Sequence, residues 1–315
     1  MTRLLVLLRS RSLRIGFLLA ALAAGVWAVG SQWGEVRLAL ASIPVSAVFG
    51  ALALSLVYVV LTMASWRVLL TDLGSRLSLG AASQVFFVSQ VGKYIPGGVW
   101  NVLAAAEMGA DHAIPRRRSV SVMVVSILVS IVTGLALAVL AMVLAPPRVA
   151  RDFGWVGWFL PLFAVVLAPP MLNRLLGIVL RLTRRPPLER PLTMRGVTLA
   201  SVWSLLAWVV AGAQVWLLAG ALGLELSVGT FALAVGGYAL AWTAGFLVVV
   251  VPAGVGVREA VLAAVLATHL ESGAVVVVVL LSRVLLTAAD LALGVTGLGT
   301  GRARRRDTGS LTTSS

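Results

Sequence analysis

The sequence contains no cysteine, one lysine and only two histidines. Without cysteine there can be no disulfide, no thiolate metal site and no cysteine nucleophile. His112 and His269 both fall near the ends of apolar stretches and form no H-E-x-x-H motif. They are read as interfacial residues, and no metal site is expected. No G-x-x-x-x-G-K-[ST] run occurs, which excludes a P-loop ATPase. Charge is scarce as well: 11% of residues are charged, against roughly 25% in ordinary soluble domains.

Apolar sequence fills the space. Hydrophobic residues make up 60% of the chain, and the mean hydropathy is +1.04. Several runs reach the roughly 20 residues that cross a bilayer core. The net charge of +14 could suggest nucleic acid. The arginines, however, sit in short segments between apolar runs, with no basic surface interleaved with aromatics. They are topology signals, and no nucleic-acid partner is expected.

In chain order, residues 1–14 form a basic tail. Arg3, Arg9, Arg11 and Arg14 ahead of Ile15–Val29 imitate a signal peptide. The repeat described below needs this run as an uncleaved first span, about 15–33. A loop with Glu35 and Arg37 follows, and Pro44 opens span two, about 45–66. Residues 80–114 contain two apolar pieces, each too short to span, separated by Gly92-Lys93-Tyr94-Ile95-Pro96-Gly97-Gly98. This pattern predicts a re-entrant hairpin. Span three is expected over 119–145 and span four over 154–176, with Trp155 and Trp158 as anchors. Span five is expected over 196–222. Residues 228–270 are a second interrupted region, either a hairpin or two spans, broken at Pro252–Gly256. Span six is expected over 273–298, and residues 301–315 as a disordered tail.

With the N-terminus inside, the loop and tail arginines fall on the cytoplasmic side, except Arg37, Arg148 and Arg151. Lys93, Arg258 and Arg283 lie within the membrane. The bias predicts a plasma-membrane protein with both termini cytoplasmic.

A shift of 156 residues lays Pro96-Gly97-Gly98-Val99 on Pro252-Ala253-Gly254-Val255. Leu77-Ser78-Leu79 matches Leu224-Glu225-Leu226 at a shift of 147, so the second copy carries an insertion of about nine residues. Each copy (about 15–146 and 154–298) reads as two spans, a re-entrant hairpin and one further span. Three spans is an odd number, so the copies are inverted. The expected fold is an all-α polytopic membrane protein of two inverted repeats with broken helices at mid-depth, as in secondary transporters.

Gly92–Trp100 and Val251–Val261 resemble the two signature loops of the lysylphosphatidylglycerol synthase transmembrane region, or flippase-like domain family. Leu281-Ser282-Arg283-Val284 resembles its last-helix pattern. The resemblance covers about residues 10–300 and implies a single flippase-like domain over 15–300. Larger members join this region to an aminoacyl-transferase domain that places lysine on phosphatidylglycerol. What the resemblance implies here is the flippase half without lipid synthesis, so no enzyme is expected. Family members carry a basic residue shortly after the first loop; here Ala104-Ala105-Ala106-Glu107 stands there, so the lipid's identity does not carry over.

The residues themselves suggest a phosphate site. Helix starts at about Val99 and Val257 would offer free amides and a positive dipole end. Lys93 supplies a point charge, and Arg258 and Arg283 supply forked donors. An intramembrane charge costs at least about 2.5 kcal/mol on insertion scales, which marks these residues as functional candidates. Tyr94, Trp100 and Asn101 flank the first break, and Glu259 follows the second. Together these seven are the expected substrate-binding set. Gly92, Pro96, Gly97, Gly98, Pro252, Gly254 and Gly256 shape the two loops. Glu107 and Asp290 are expected as coupling or lock residues; the alternative role for Arg258 is a structural pair with one of them. Arg283 and Asp290, seven apart, share one helix face.

The function expected is translocation of an anionic phospholipid or lipid-linked headgroup between leaflets by alternating access, with no cofactor. The alternatives are a small-molecule or ion-coupled transporter, a membrane enzyme acting on lipid phosphate, and a membrane partner of a separate lipid-modifying enzyme. A homo-oligomer is compatible with each.

Overall fold

The computed structural model describes residues 30–31, 33–95, 99–144, 157–158, 160–182, 187–248 and 254–311. All regular structure among them is helical. Span one falls largely outside these residues. So do the tail 1–14, Trp155, Pro96, Gly97, Gly98 and Pro252.

Among the described elements the first is α1 (Trp33–Ser42), which occupies the segment expected to be a loop, so Glu35 and Arg37 are helical. Its role is tertiary: the Glu35 carboxylate accepts from Gly273 N at 3.1 Å, fastening α1 to the last helix. Pro44 precedes α2 (Val45–Asp72), where the missing N–H breaks no helical bond. A turn then leads to α3 (Leu79–Val91), whose N-cap Ser78 accepts from Ala81 N. The tight helical turn Gly92–Tyr94 follows, then α4 (Trp100–Ala110) and α5 (Arg116–Leu144). Arg116, Arg117 and Arg118 therefore form the first turn of a span instead of a preceding loop.

Span four differs most from expectation. It is a pair, α6 (Leu160–Leu167) and α7 (Pro169–Leu182), bent by 61°. The adjacent Pro169 and Pro170 explain the break, since neither can continue the hydrogen-bond ladder of the helix before it. The chain continues with α8 (Met194–Ala221), capped by Thr193, and α9 (Val228–Leu247), whose Ser227 and Thr230 form a reciprocal cap. The last two helices are α10 (Val257–Leu266) and α11 (Ser272–Leu311). α11 runs well past residue 298, through most of the expected disordered tail. Arg302, Arg304, Arg305 and Arg306 are good helix formers, so a helix leaving the membrane can continue there despite Gly299, Gly301 and Gly309.

Among the described residues, five helices are long and apolar enough to cross a membrane: α2, α5, α8, α9 and α11 as far as Leu298; the bent pair would make six. The core follows the seam where α2 packs on α8. Ala51, Ala200, Ala207 and Ala211 are buried there, which lets the backbones approach closely. Apolar helices gain little from leaving lipid, so close packing and interhelical hydrogen bonds hold such a bundle together. Ser65 Oγ donates to Ala200 O at 2.8 Å. Ser282 Oγ donates to Gln214 Oε1 at 2.8 Å, deep between α8 and α11.

Polar contacts also fix which helix ends lie together. Asp72 at the end of α2 accepts from Thr193 N and Oγ1 at 2.8 and 2.7 Å, so α2 and α8 are antiparallel. Arg118 donates to Ser75 Oγ at 2.6 Å, bringing the start of α5 to that same end. Glu189 receives both Arg117 and Arg118 there. Helices α3 and α4 thus leave and return at one end of the bundle, which is rich in arginine.

Candidate functional site

Two backbone approaches build the site. Gly92 is buried where the end of α3 crosses the start of α4. A Cβ on it would lie 2.8 Å from Asn101 N and 2.9 Å from Trp100 C. Gly254 has φ +67°, and its Cβ would lie 2.8 Å from the Gly245 Cα. Glycine is thus required at each, once for space and once for space and backbone conformation. Gly92→Ala is expected to destabilise the protein by about 1–3 kcal/mol through overpacking against rigid backbone. Thermal unfolding of the purified protein in detergent would read this loss; an unchanged midpoint would deny the close approach.

A cavity of about 220 Å³ lies between these two approaches. Lys93, Tyr94 and Asn101 come to it from the first interrupted region; Gly254 and Arg258 come from the second. Arg283 and Asp290 of α11 complete its charged wall. Tyr58 and Ser126, close to the middle of α2 and α5, also line it, so the cavity lies at mid-depth.

Asp290 is the hub. Its side chain has no exposed surface, and Lys93 Nζ approaches its Oδ2 at 2.7 Å. Tyr94 OH donates to the same oxygen at 2.6 Å. The buried Oδ1 has no hydrogen-bond partner among the described residues. Lys93 also contacts Gln90 Oε1 at 3.5 Å and lies 5.5 Å from the centre of the Tyr94 ring. On the other side, Arg258 sits 4.6 Å from the centre of the Tyr238 ring and donates to the Tyr238 hydroxyl. Tyr238 in turn meets Tyr58 edge-on at 6.4 Å.

The start of α10 is closed by its own side chain. Glu259 accepts from Gly256 N at 2.6 Å, capping α10, where Gly256 has φ +87°. The same carboxylate reaches Arg283 Nε at 3.5 Å. Glu259 is therefore a capping and pairing group behind the cavity, and the α10 amides are partly used by it. Arg283 and Asp290 do share a face, as their spacing implied.

Three expectations need correction. Glu107 lies on the surface in a two-pronged pair with Arg116, at 2.8 and 2.7 Å, away from the cavity. The hydrogen bonds from Arg116 hold its carboxyl below the usual range. It is a surface clasp, outside the cavity. Arg258 pairs with neither Asp290 nor Glu107; its neighbour is Tyr238. Trp100 is 45% exposed and does not line the cavity.

Sequence reasoning missed Tyr58, Tyr238 and Gln90. One signal was available: the chain has three tyrosines, and all three gather here. Among the described residues no group of three His, Asp or Glu side chains could hold a metal ion.

Long apolar helices packed around a charged, mid-depth cavity define a polytopic integral membrane protein. The family model for the lysylphosphatidylglycerol synthase TM region matches residues 13–294. The chain belongs to this family, whose membrane region points to a lipid-related role. No curated protein matches the chain.

Proposed function

We propose that this protein translocates an anionic phospholipid or lipid-linked headgroup between leaflets by alternating access, without covalent chemistry of its own. The observation that carries the reading is the mid-depth cavity, where Lys93, Arg258 and Arg283 converge from both interrupted regions and α11. About 220 Å³ suits a polar headgroup while excluding two acyl chains, which stay in the bilayer. Phosphate oxygens meet the guanidinium forks. Asp290 Oδ1, which lacks a donor among the described residues, accepts from a headgroup hydroxyl or ammonium.

The inverted repeat supplies the alternation. Exchanging α2–α5 for α8–α11 maps several of the main helix contacts onto one another: α2 packs on α8, α3 on α11 as α9 on α5, and α2 meets α11 as α8 meets α5, although α8 packs on α9 more closely than α2 on α3. Val45 to Met194 and Leu79 to Val228 are both steps of 149 residues, whereas Arg116 to Ser272 is a step of 156. The seven-residue difference equals the excess of α9, 20 residues, over α3, 13 residues. The insertion is thus somewhat shorter than the sequence match suggested, and it lengthens one helix. α5 starts at the arginine-rich end, beside Ser75, while α11 starts at the opposite end, beside Glu35, which supports the inversion. Rocking one half against the other would open the cavity to each leaflet in turn.

Purified protein in proteoliposomes is expected to move headgroup-labelled phosphatidylglycerol between leaflets faster than protein-free vesicles. Equal rates would refute the proposal. Both termini are proposed to lie in the cytoplasm, and a reporter fused after Ser315 that reads as extracytoplasmic would overturn that orientation.

A further inference from the structure

A second concavity, of about 820 Å³, opens at the arginine-rich end of the α2–α8 seam. It shares no lining residue with the central cavity. Four guanidinium groups border it: Arg67, Arg76, Arg190 and Arg195. Arg67 is anchored on the Leu77 carbonyl through Nε at 3.3 Å and Nη2 at 3.2 Å. Arg76, Arg190 and Arg195 are exposed, and none is in an ion pair among the described residues.

One carboxylate faces the four guanidinium groups, so the cluster keeps a net positive charge. Asp72, the one carboxylate in the lining, is engaged by Thr193 through both oxygens. Nearby Glu189 is held by Arg117 and Arg118. The concavity is therefore strongly electropositive at its rim.

Its deeper wall is apolar. Arg195 stands at the start of α8, and Leu199 and Trp203 follow one and two turns further in. On α2, Val68 and Ala64 lie deeper than Asp72 and Arg76. Leu199 and Trp203 are 42% and 36% exposed, so the wall is open along the outside of the bundle. Charge at the rim and apolar surface running inward along the bilayer normal match the two ends of a phospholipid. A soluble anion would use the arginines and leave the wall without a role.

We propose that this groove is a binding site for an anionic phospholipid, separate from the translocation cavity. The phosphate sits among Arg76, Arg190 and Arg195, and an acyl chain lies along Leu199 and Trp203. Arginine forks suit phosphate oxygens, and basic pockets between helices at a membrane surface select anionic headgroups. The bound lipid spans the end of α2 and the start of α8, and so braces the seam that joins the two halves.

Native mass spectrometry of the full-length protein, titrated with phosphatidylglycerol or phosphatidylcholine, tests the site. Phosphatidylglycerol is expected to bind in clear preference. The double variant Arg190→Ala/Arg195→Ala is expected to weaken it by about thirtyfold, and Arg190→Gln alone by about fivefold. The single variant carries the test should the double variant fail to fold. Arg37→Ala, exposed on α1 and lining neither cavity, is expected to keep this binding, and glycerol phosphate is expected not to displace the lipid. Equal affinity for the two lipids, unchanged affinity in the Arg190 and Arg195 variants, or full displacement by glycerol phosphate would overturn the proposal. So would a dimer of this protein that the same substitutions dissociate, since the groove would then hold a second copy.

Discussion

Lys93→Met is expected to abolish lipid translocation and to destabilise the protein by about 2–4 kcal/mol, because it strands a buried carboxylate. Asp290 has no exposed side-chain surface, and its Oδ2 is held by Lys93 at 2.7 Å and Tyr94 at 2.6 Å. Tyr94 alone cannot neutralise it. The Lys93 side chain is itself 30% exposed, so the cavity moderates the cost. The double variant Lys93→Met/Asp290→Leu separates two roles. Replacing a buried pair by apolar side chains of similar size is commonly near neutral, so stability is expected to return to within about 1 kcal/mol of the original. Translocation is not expected to return, because the pair lines the cavity proposed as the headgroup path. Thermal unfolding and the proteoliposome assay read the two quantities separately. A double variant that recovers both would reduce the pair to a structural lock.

Arg258→Ala is expected to slow translocation by about 10- to 100-fold, the equivalent of one charge-assisted hydrogen bond lost from the path. Its guanidinium lies against the Tyr238 face, 4.6 Å from the ring centre, which fixes the plane of the fork. A lysine keeps the charge but loses both fork and stacking. Arg258→Lys is therefore expected to recover only part of the rate. Tyr238→Phe keeps the ring face and removes one acceptor, so its effect is expected to be smaller than that of Arg258→Ala. The same assay, with unfolding midpoints to confirm folded variants, checks the ranking. Wild-type rates in Arg258→Ala would take the cavity out of the path. Wild-type rates in Arg258→Lys would show that charge alone suffices.

Much of the bundle was legible because apolar run length reports bilayer thickness directly. α2, α5, α8 and α11 appear where runs near 45–66, 119–145, 196–222 and 273–298 predicted them, each somewhat longer. The Gly92–Gly98 interruption was legible for a similar reason, since glycine and proline end helices locally. The bend between α6 and α7 was legible in principle at Pro169-Pro170 but was read through as one span. α1 was missed because ten residues with two charges, next to a span, resemble a loop.

Rotation about each helix axis was not legible. A chain that is apolar on every face carries little periodicity, because lipid-facing and core-facing positions take the same side chains. The charged candidates could therefore be named but not paired. Glu107 was assigned to the site when its partner, Arg116, is nine residues away on the surface. Tyr238 was not suspected, although it orients Arg258.

From the sequence alone came the membrane class, the broken helices and the short roster of intramembrane charges, because each follows from local composition and a bilayer's intolerance of polar groups. The tertiary structure alone decided which charges meet. Lys93 and Tyr94 reach Asp290 across nearly 200 residues only because α3 packs on α11. That contact depends on small-residue approaches such as Gly294 against Val91, where an added Cβ would come within 2.9 Å. Such fits are set by the three-dimensional complement of two surfaces, which neither segment encodes by itself.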